Sequence, residues 1–439
     1  MTDLQNRLRE LYGLRRFGIK LGLDTIRAML DGLGNPHRRF RAVHLAGSNG
    51  KGSVASALAT ILAGAGQRVG LYTSPHLVRF NERFCVNGRP VSDEALAAAH
   101  EAVRTVPTGD RSPTFFEFAT AMAFHLFAEA KVDWAVIETG MGGRLDATNV
   151  LDPALAVITN ISLEHAAYLG DSLELIAAEK GGIIKPGVPA VTGAREAPAR
   201  GVLAEIARGR SAPLFFLGTD FRAIPEPDGT FQYEGLDGRW ENMRAGLAGG
   251  FQVDNAALTL AACELLVRDG VNLPKPAVRT GLARNRWPGR LEVVAERPRI
   301  LLDGAHNLAA ARLLAAYLDS LRKESPVTLV VGILDDKPHR DMLEALLPVC
   351  RRVIYTQARN ERALPAETLR DAGAAPTRDT MVLPDVGEAL AAARQMATPD
   401  ETICVAGSLY VVGEAKEALE REGFPAYSLT EFSAESSRA

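Results

Sequence analysis

One stretch limits this chain's fold more than any other: AGSNGKGS, residues 46–53. An apolar run, AVHLA from Ala42, precedes it, and a helix-forming run from Ser53 to Leu62 follows. A glycine-rich turn between strand and helix lets successive backbone N–H groups converge on one anion, and the helix N-terminus adds its positive end. Lys51 would add a point charge on terminal phosphates, and the Ser53 hydroxyl could reach Mg2+. Asn49, Gly50, Lys51, Gly52 and Ser53 are therefore candidate nucleotide contacts. The spacing departs from the common GxxxxGK[ST] form, because Gly52 separates Lys51 from Ser53. A plain glycine turn is the competing reading.

The same alternation recurs. RVGLYT from Arg68, DWAVIETG, LAVITNI and VPAVTG read as strands. FFEFATAMAFHLFAEA and SLELIAAEK read as helices, the first apolar over most of its surface and so buried. This order argues for an α/β fold with a mainly parallel sheet and helices on both faces. From Leu214 to Trp240 the texture changes, and FRAIPEPDGTFQYEGLDGRW carries two Asp-Gly turn signals, which predicts β-hairpins. A helix is expected from about Val253 to Arg268. NLPKPAVRTGLARNRWPGR reads as an interdomain connection. Beyond it, RILLDGAHN, a helix from Ala309, TLVVGIL, a helix near Met342, RVIYTQ and TICVAGSLY form a second, smaller α/β domain. The tail SAESSRA is expected to fray.

Fifty basic and 53 acidic residues leave a formal net charge of −3, which argues against nucleic acid held by bulk electrostatics. No apolar run reaches the roughly 18 residues of a membrane span. The N-terminal segment has no signal-like apolar run. Cys85, Cys263, Cys350 and Cys404 lie far apart, which fits reduced thiols better than a disulfide framework. The expectation is a cytoplasmic protein with no nucleic-acid or membrane partner.

Eight motifs stand in order: AGSNGKGS, TSPHLVRFNER, TFFEFAT, ETGMGGRLDATN, EKGGIIKPG, PGRLE, LDGAHN and AGSLY. Together, from about Phe17 to Glu414, the chain resembles the folylpolyglutamate synthase/dihydrofolate synthase group of the Mur ligase superfamily. The resemblance implies a P-loop ATPase domain, placed at 1–288, and a Rossmann-like domain, placed at 289–439, with the active site between them. It implies a monomeric, ATP-dependent amide ligase. A carboxylate is activated as an acyl phosphate, ADP leaves, and the amine of L-glutamate displaces phosphate.

That chemistry brings two anions together, so cations must offset their repulsion. Glu138 ends DWAVIE beside TGMGG, where an α/β sheet presents its ligands. Read alone it could be a solvated strand-end acid; the resemblance makes it a Mg2+ ligand. His165 is carried over as a metal ligand, with Glu164 where relatives carry Asp. Ser74 reads alone as a Ser-Pro turn and, by resemblance, as a metal-associated hydroxyl. Lys180 reads alone as a surface lysine. By resemblance it is carbamylated, its carboxylate-like group helping to hold one of two Mg2+ ions. Asn255, Arg290 and Asp303 match adenine and phosphate contacts, and His306 and Ser408 match loops that hold incoming glutamate. Leu308 stands where relatives have Pro.

A flat pterin wants an aromatic face and an acceptor for its N–H edge. Phe115, Phe116, Glu117 and Asp146 supply those types, and Thr114, Leu145 and Ala147 beside them complete the candidate pterin contacts. A buried helix face is the alternative for FFEF. Both segments resemble bacterial members that use dihydropteroate. The implied activities are dihydrofolate synthase and, on tetrahydrofolates, folylpolyglutamate synthase; a monofunctional enzyme is the alternative. A cell-wall Mur ligase would carry a UDP-binding domain ahead of the loop, a GTPase switch would carry NKxD, and a kinase would need no glutamate.

Overall fold

The computed structural model describes residues 3–14, 18, 20, 22–163, 165–323, 325–373 and 379–424; Phe17, Glu164 and the tail SAESSRA lie outside them. The first sheet has eight strands: β1 (Arg41–Ala46), β2 (Val69–Tyr72), β3 (Phe84–Val86), β4 (Arg89–Pro90), β5 (Trp134–Glu138), β6 (Leu155–Ile158), β7 (Ala190–Thr192) and β8 (Leu214–Phe216). Their order is β4-β3-β2-β5-β1-β6-β7-β8. Pairing is parallel from β2 to β8, and β3 and β4 add an antiparallel edge.

Parallel strands covered on both faces must be apolar throughout. Val43, Leu45, Trp134 and Val136 face one core, while Ala42, Ala135 and Ile137 face the other. Helices Lys51–Gly64 and Phe251–Arg268 cover the first face, and Asp93–Arg104 and Phe115–Glu129 the second. The chain leaves β1 towards β2 on one side, and β6 to β8 extend on the other. The loops after β1, β5 and β6 therefore open into one crevice, the usual ligand position in such a sheet.

Residues 222–243 form the expected hairpins: β9 (Arg222–Pro225), β10 (Phe231–Glu234) and β11 (Arg239–Met243), all antiparallel, with Asp228-Gly229 and Asp237-Gly238 in the turns. Leu214–Phe216 is a correction. Read as the start of those hairpins, it joins the large sheet parallel to β7. The helix Ala197–Gly209 supplies the crossover that parallel pairing requires.

The connection is also corrected. Lys275–Arg284 is a helix with proline in its first turn, where the missing N–H costs nothing. It lies so close to Lys51–Gly64 that a Cβ on Gly281 would stand 2.8 Å from the Ile61 Cα. Only residues 285–290 remain as the link.

The second sheet comprises β12 (Glu292–Glu296), β13 (Arg299–Leu302), β14 (Val327–Val331), β15 (Arg352–Tyr355), β16 (Asp379–Val382) and β17 (Thr402–Ala406), in the order β12-β13-β17-β14-β15-β16. It is parallel except at β12. Ile300, Leu302, Ile403 and Val405 face one core, and Leu301 and Cys404 the other. No described helix is long and apolar enough to cross a membrane.

The helix Lys275–Arg284 yields a stability test. Alanine normally gains about 1 kcal/mol over glycine in a helix. At Gly281 the added methyl meets backbone, and overpacking costs about 1–3 kcal/mol. Gly281→Ala is expected to lower the urea midpoint; an unchanged or raised midpoint would refute the close helix contact.

Candidate active site

The loop after β1 is bent and then pinned. Gly47 and Gly50 have φ of +146° and +84°, conformations L side chains rarely adopt. The Asn49 N–H donates to Asn160 Oδ1 at 2.9 Å, and Thr159 Oγ1 donates to the Asn49 carbonyl at 2.6 Å. Ser48 Oγ donates to the Ser162 carbonyl and accepts its N–H. Lys51 Nζ donates to the Gly47 carbonyl at 2.8 Å and stands 4.0 Å from Glu138 Oε1. The buried Ser53 hydroxyl accepts from Gln252 Nε2 at 3.4 Å, and Gln252 Oε1 in turn accepts from Asn255 Nδ2 at 2.8 Å.

This loop is one wall of a cleft of about 570 Å³ between the two sheets. The cleft brings together fourteen of the residues singled out above: Asn49 to Ser53, Ser74, Glu138, His165, Lys180, Asn255, Arg290, Asp303, His306 and Ser408. Glu138 ends β5 and is 5% exposed. Burial raises its pKa, and Lys51, the Ser74 N–H at 3.2 Å and Arg290 pull it back. Lys180, the expected surface lysine, is 1% exposed in the last turn of Leu173–Gly181. His165 is exposed, with φ +48°. Among the described residues no three His, Cys, Asp or Glu side chains cluster as a ready metal site. Mg2+ does not need such a cage, because it takes one or two protein carboxylates and completes its shell with phosphate oxygens and water. A buried, under-compensated carboxylate at Glu138 fits that use.

The second sheet supplies the opposite wall. Asp303 follows β13, accepting the Leu291 and Ala305 N–H groups at 2.9 Å each. Burial raises its pKa and Arg290 lowers it. His306 Nδ1 lies 2.8 Å from the Gly304 carbonyl. A carbonyl only accepts, so Nδ1 carries the proton and Nε2 is an acceptor. Burial, outweighing that bond, lowers the His306 pKa to about 4, with Arg290, Lys337 and Lys51 adding to the effect. Ser408, after β17, caps the helix Leu409–Arg421 by accepting the Tyr410 N–H.

Two family models match this chain: the Mur ligase middle domain over residues 45–263 and the Mur ligase, glutamate ligase domain over residues 289–409. A dihydrofolate synthase/folylpolyglutamate synthase of Bacillus subtilis (strain 168) is 36% identical over 431 residues, covering 95% of this chain and 100% of the relative. The E. coli FolC structure in complex with DHPP and ADP superposes with a TM-score of 0.88 at 32% identity, over 95% of this chain and 98% of that one. A bifunctional folylpolyglutamate synthase/dihydrofolate synthase from Yersinia pestis c092, complexed with AMPPNP and Mn ion, gives 0.86 at 32% identity, over 96% and 98%. The chain belongs to the folylpolyglutamate synthase/dihydrofolate synthase family of Mur ligases.

In this ligase the pterin candidates sit beside the cleft rather than in its lining. Phe116 stacks on Tyr72 and blocks any side chain at Gly140, and Phe115 stacks on Tyr12 at 5.8 Å. Thr114 and Glu117 form a capping box that starts Phe115–Glu129. The acceptor role expected of Glu117 is corrected, because its carboxylate already accepts from Thr114 N, Thr114 Oγ1 and both Arg111 terminal nitrogens. Asp146 is committed as well, to the N–H groups of Gly140, Met141 and Thr148 and to the Thr148 hydroxyl. Leu145 is half-buried and Ala147 buried beside it.

The sequence reading of this ligase missed Thr159, Asn160, Gln252 and Asn307. Thr159 and Asn160 directly follow buried β6, a position that does signal a site residue. Gln252 lies three residues before Asn255 on one helix face, the spacing that lets them touch.

The His306 ring is open to direct measurement. Selective 15N-histidine labelling is expected to show it neutral and Nδ1-protonated from pH 8 to roughly 5, given a pKa of about 4 against 6.5 unperturbed. The sign for stability follows. Between those values the unfolded chain binds the proton first, so this contribution is intact above pH 6.5 and lost as pH falls towards 4. A titration midpoint near 6.5 would overturn the buried, neutral assignment.

Proposed function

We propose that this cleft joins L-glutamate to folate carboxylates with ATP converted to ADP and phosphate. The observation that carries this is one cavity walled by the phosphate loop on one side and by the turn from Asp303 to His306 on the other. The chain is an ADP-forming ligase acting on dihydropteroate, giving dihydrofolate, and on the glutamate tail of tetrahydrofolates. We take its domains as 1–288 and 289–439, and its working form as a cytoplasmic monomer without nucleic-acid or membrane partners.

In this reading Asn49, Gly50, Lys51, Gly52 and Ser53 hold the ATP phosphates, and Asn255, Arg290 and Asp303 make further adenine and phosphate contacts. Ser53, Ser74, Glu138, His165 and Lys180 are the residues that would hold Mg2+, at two sites. When bound, Mg2+ shields the charge between γ-phosphate and acceptor carboxylate. Lys180 as an ammonium would be a buried cation, whereas carbamylation makes it a carboxylate-like ligand. Lys51 and Arg290 place positive charge at the transferring phosphoryl group. His306, held near pKa 4, is too weak a base to strip an ammonium. Its Nε2 instead orients the glutamate amine. Ser408 marks a helix N-terminus suited to a glutamate carboxylate. The pterin lies against Phe115 and Phe116 with Leu145 and Ala147, on a wall shaped by Thr114, Glu117 and Asp146.

Phosphate release with Mg-ATP is the test, using dihydropteroate or tetrahydrofolate, each with and without L-glutamate. Glutamate-dependent release is expected with both acceptors, and Lys51→Ala is expected to lower it about 100-fold or more. Release with one acceptor would assign a single activity, and release independent of glutamate would reject the ligase.

Lys180 has its own test. Protein equilibrated with 13CO2 is expected to show a carbamate carbon signal that Lys180→Ala lacks. A signal that persists in the variant, or none in the wild type, would reject carbamylation.

A further inference from the structure

Asn307 stands where the two walls of the cleft touch. Its Oδ1 accepts the Ala310 N–H at 2.9 Å and so caps the helix Leu308–Leu321. Its Nδ2 donates to Asn49 Oδ1, in the phosphate loop, at 2.9 Å. The Asn49 backbone is held from the first domain alone, by Asn160 and Thr159. Its side chain is what reaches the second domain.

The choice of residue is informative. Asn, Asp and Ser serve about equally well as helix caps, because a cap needs only an oxygen acceptor. Among them only Asn also carries a strong N–H donor, and here that donor crosses to the phosphate loop. Asn307 directly follows His306, at the glutamate side of the cleft. We propose that Asn307 is a positioning residue for ligation, its amide fixing the second domain's His306 turn against the phosphate loop. This rests on the ligase reading above. A displacement of about 1 Å between reacting groups can cost about 100-fold in rate, so one well-placed amide is enough to matter.

Two variants remove the contact from opposite sides. Asn307→Ser keeps a capping oxygen but loses the donor and its reach. Asn49→Ala leaves the helix untouched and the loop's backbone anchors in place. Glutamate-dependent phosphate release is measured for wild type, both single variants and the double variant. Each single change is expected to lower kcat about 10-fold; in Asn307→Ser, which leaves the nucleotide contacts alone, KM for ATP is expected to move less than about threefold. The double variant is expected to match the singles rather than reach about 100-fold, since both changes break one bond. Asn307→Ser is expected to lower the urea midpoint by no more than the loss of that one hydrogen bond, because the cap itself is kept. Wild-type kcat in Asn307→Ser, or single effects that multiply in the double variant, would overturn the assignment. Absence of glutamate-dependent release in the wild type would reject the ligase reading itself, a different result from either.

Discussion

A backbone that aims several N–H groups at one phosphate cannot hold that shape unaided. The turn through Gly47 and Gly50 leaves ordinary φ space, so its geometry is set by what grips it. Thr159, Asn160 and Ser162 grip it from the end of β6, and Lys51 closes back on the Gly47 carbonyl. The helix that follows is fixed in turn. The Ser56 hydroxyl donates to Asn285 at 2.7 Å, and the helices Phe251–Arg268 and Lys275–Arg284 pack on Lys51–Gly64. The large sheet, its crossover helices and the hairpin layer together deliver one loop to one place.

The cleft stores electrostatic imbalance. Glu138 and Asp303 are buried carboxylates whose pKa values rise, and Lys51 and Arg290 relieve them only in part. Burying charge without full compensation is costly, so such a site gains from ligands that complete the pairing. In the proposed reading, cations answer the carboxylates, and phosphates answer Lys51 and Arg290. His306 differs: burial first, with Arg290, Lys337 and Lys51 adding to it, holds its pKa down to about 4. One cleft thus offers acceptors, donors and fixed positive charge at separate points.

Local signals were legible in the sequence because each is a short pattern with one physical reading. The strand–glycine–helix loop, the apolar strands ending in Glu138 and Asp303, and the two Asp-Gly turns all stand where they were expected. What the sequence hid depends on partners far away in the chain. Lys275–Arg284 reads as a Pro- and Gly-rich link because its helical character comes from packing Gly281 on Ile61. Leu214–Phe216 reads as a hairpin because nothing local says that its partner is β7. Glu117 reads as a ligand until Arg111 and Thr114 are seen to saturate it. Lys180 reads as surface, and only the fold reveals its burial. His44 is another such case: its Nε2 meets Thr148, which in turn donates to Asp146, so the centre of β1 supports the loop beside the pterin candidates.

The two domains meet at both ends of the cleft, and the two ends differ in character. At the link, the Trp287 ring covers Gly52 so closely that a Cβ there would stand 2.7 Å from its nitrogen. The Gly289 N–H donates to Glu292 at 2.8 Å, and Glu292 also pairs with buried Lys416. Gly289 accepts the Gly304 N–H at 2.8 Å, which draws Arg290 and Asp303 to the same corner. Those bonds lie within one domain or the other; what crosses here is the chain itself and Leu77, which stands so close to Gly289 and Gly413 that a Cβ on them would lie 3.2 and 2.2 Å from it. At the other end the Asn307 amide donates to Asn49 Oδ1 at 2.9 Å. A hydrogen bond of that kind contributes about 1 kcal/mol net, little enough to break and re-form as substrates pass. The link is thus held by the chain and close packing, while the opposite side of the cleft is joined through the Asn307 amide and Asn49, a bond that couples the His306 turn to the phosphate loop.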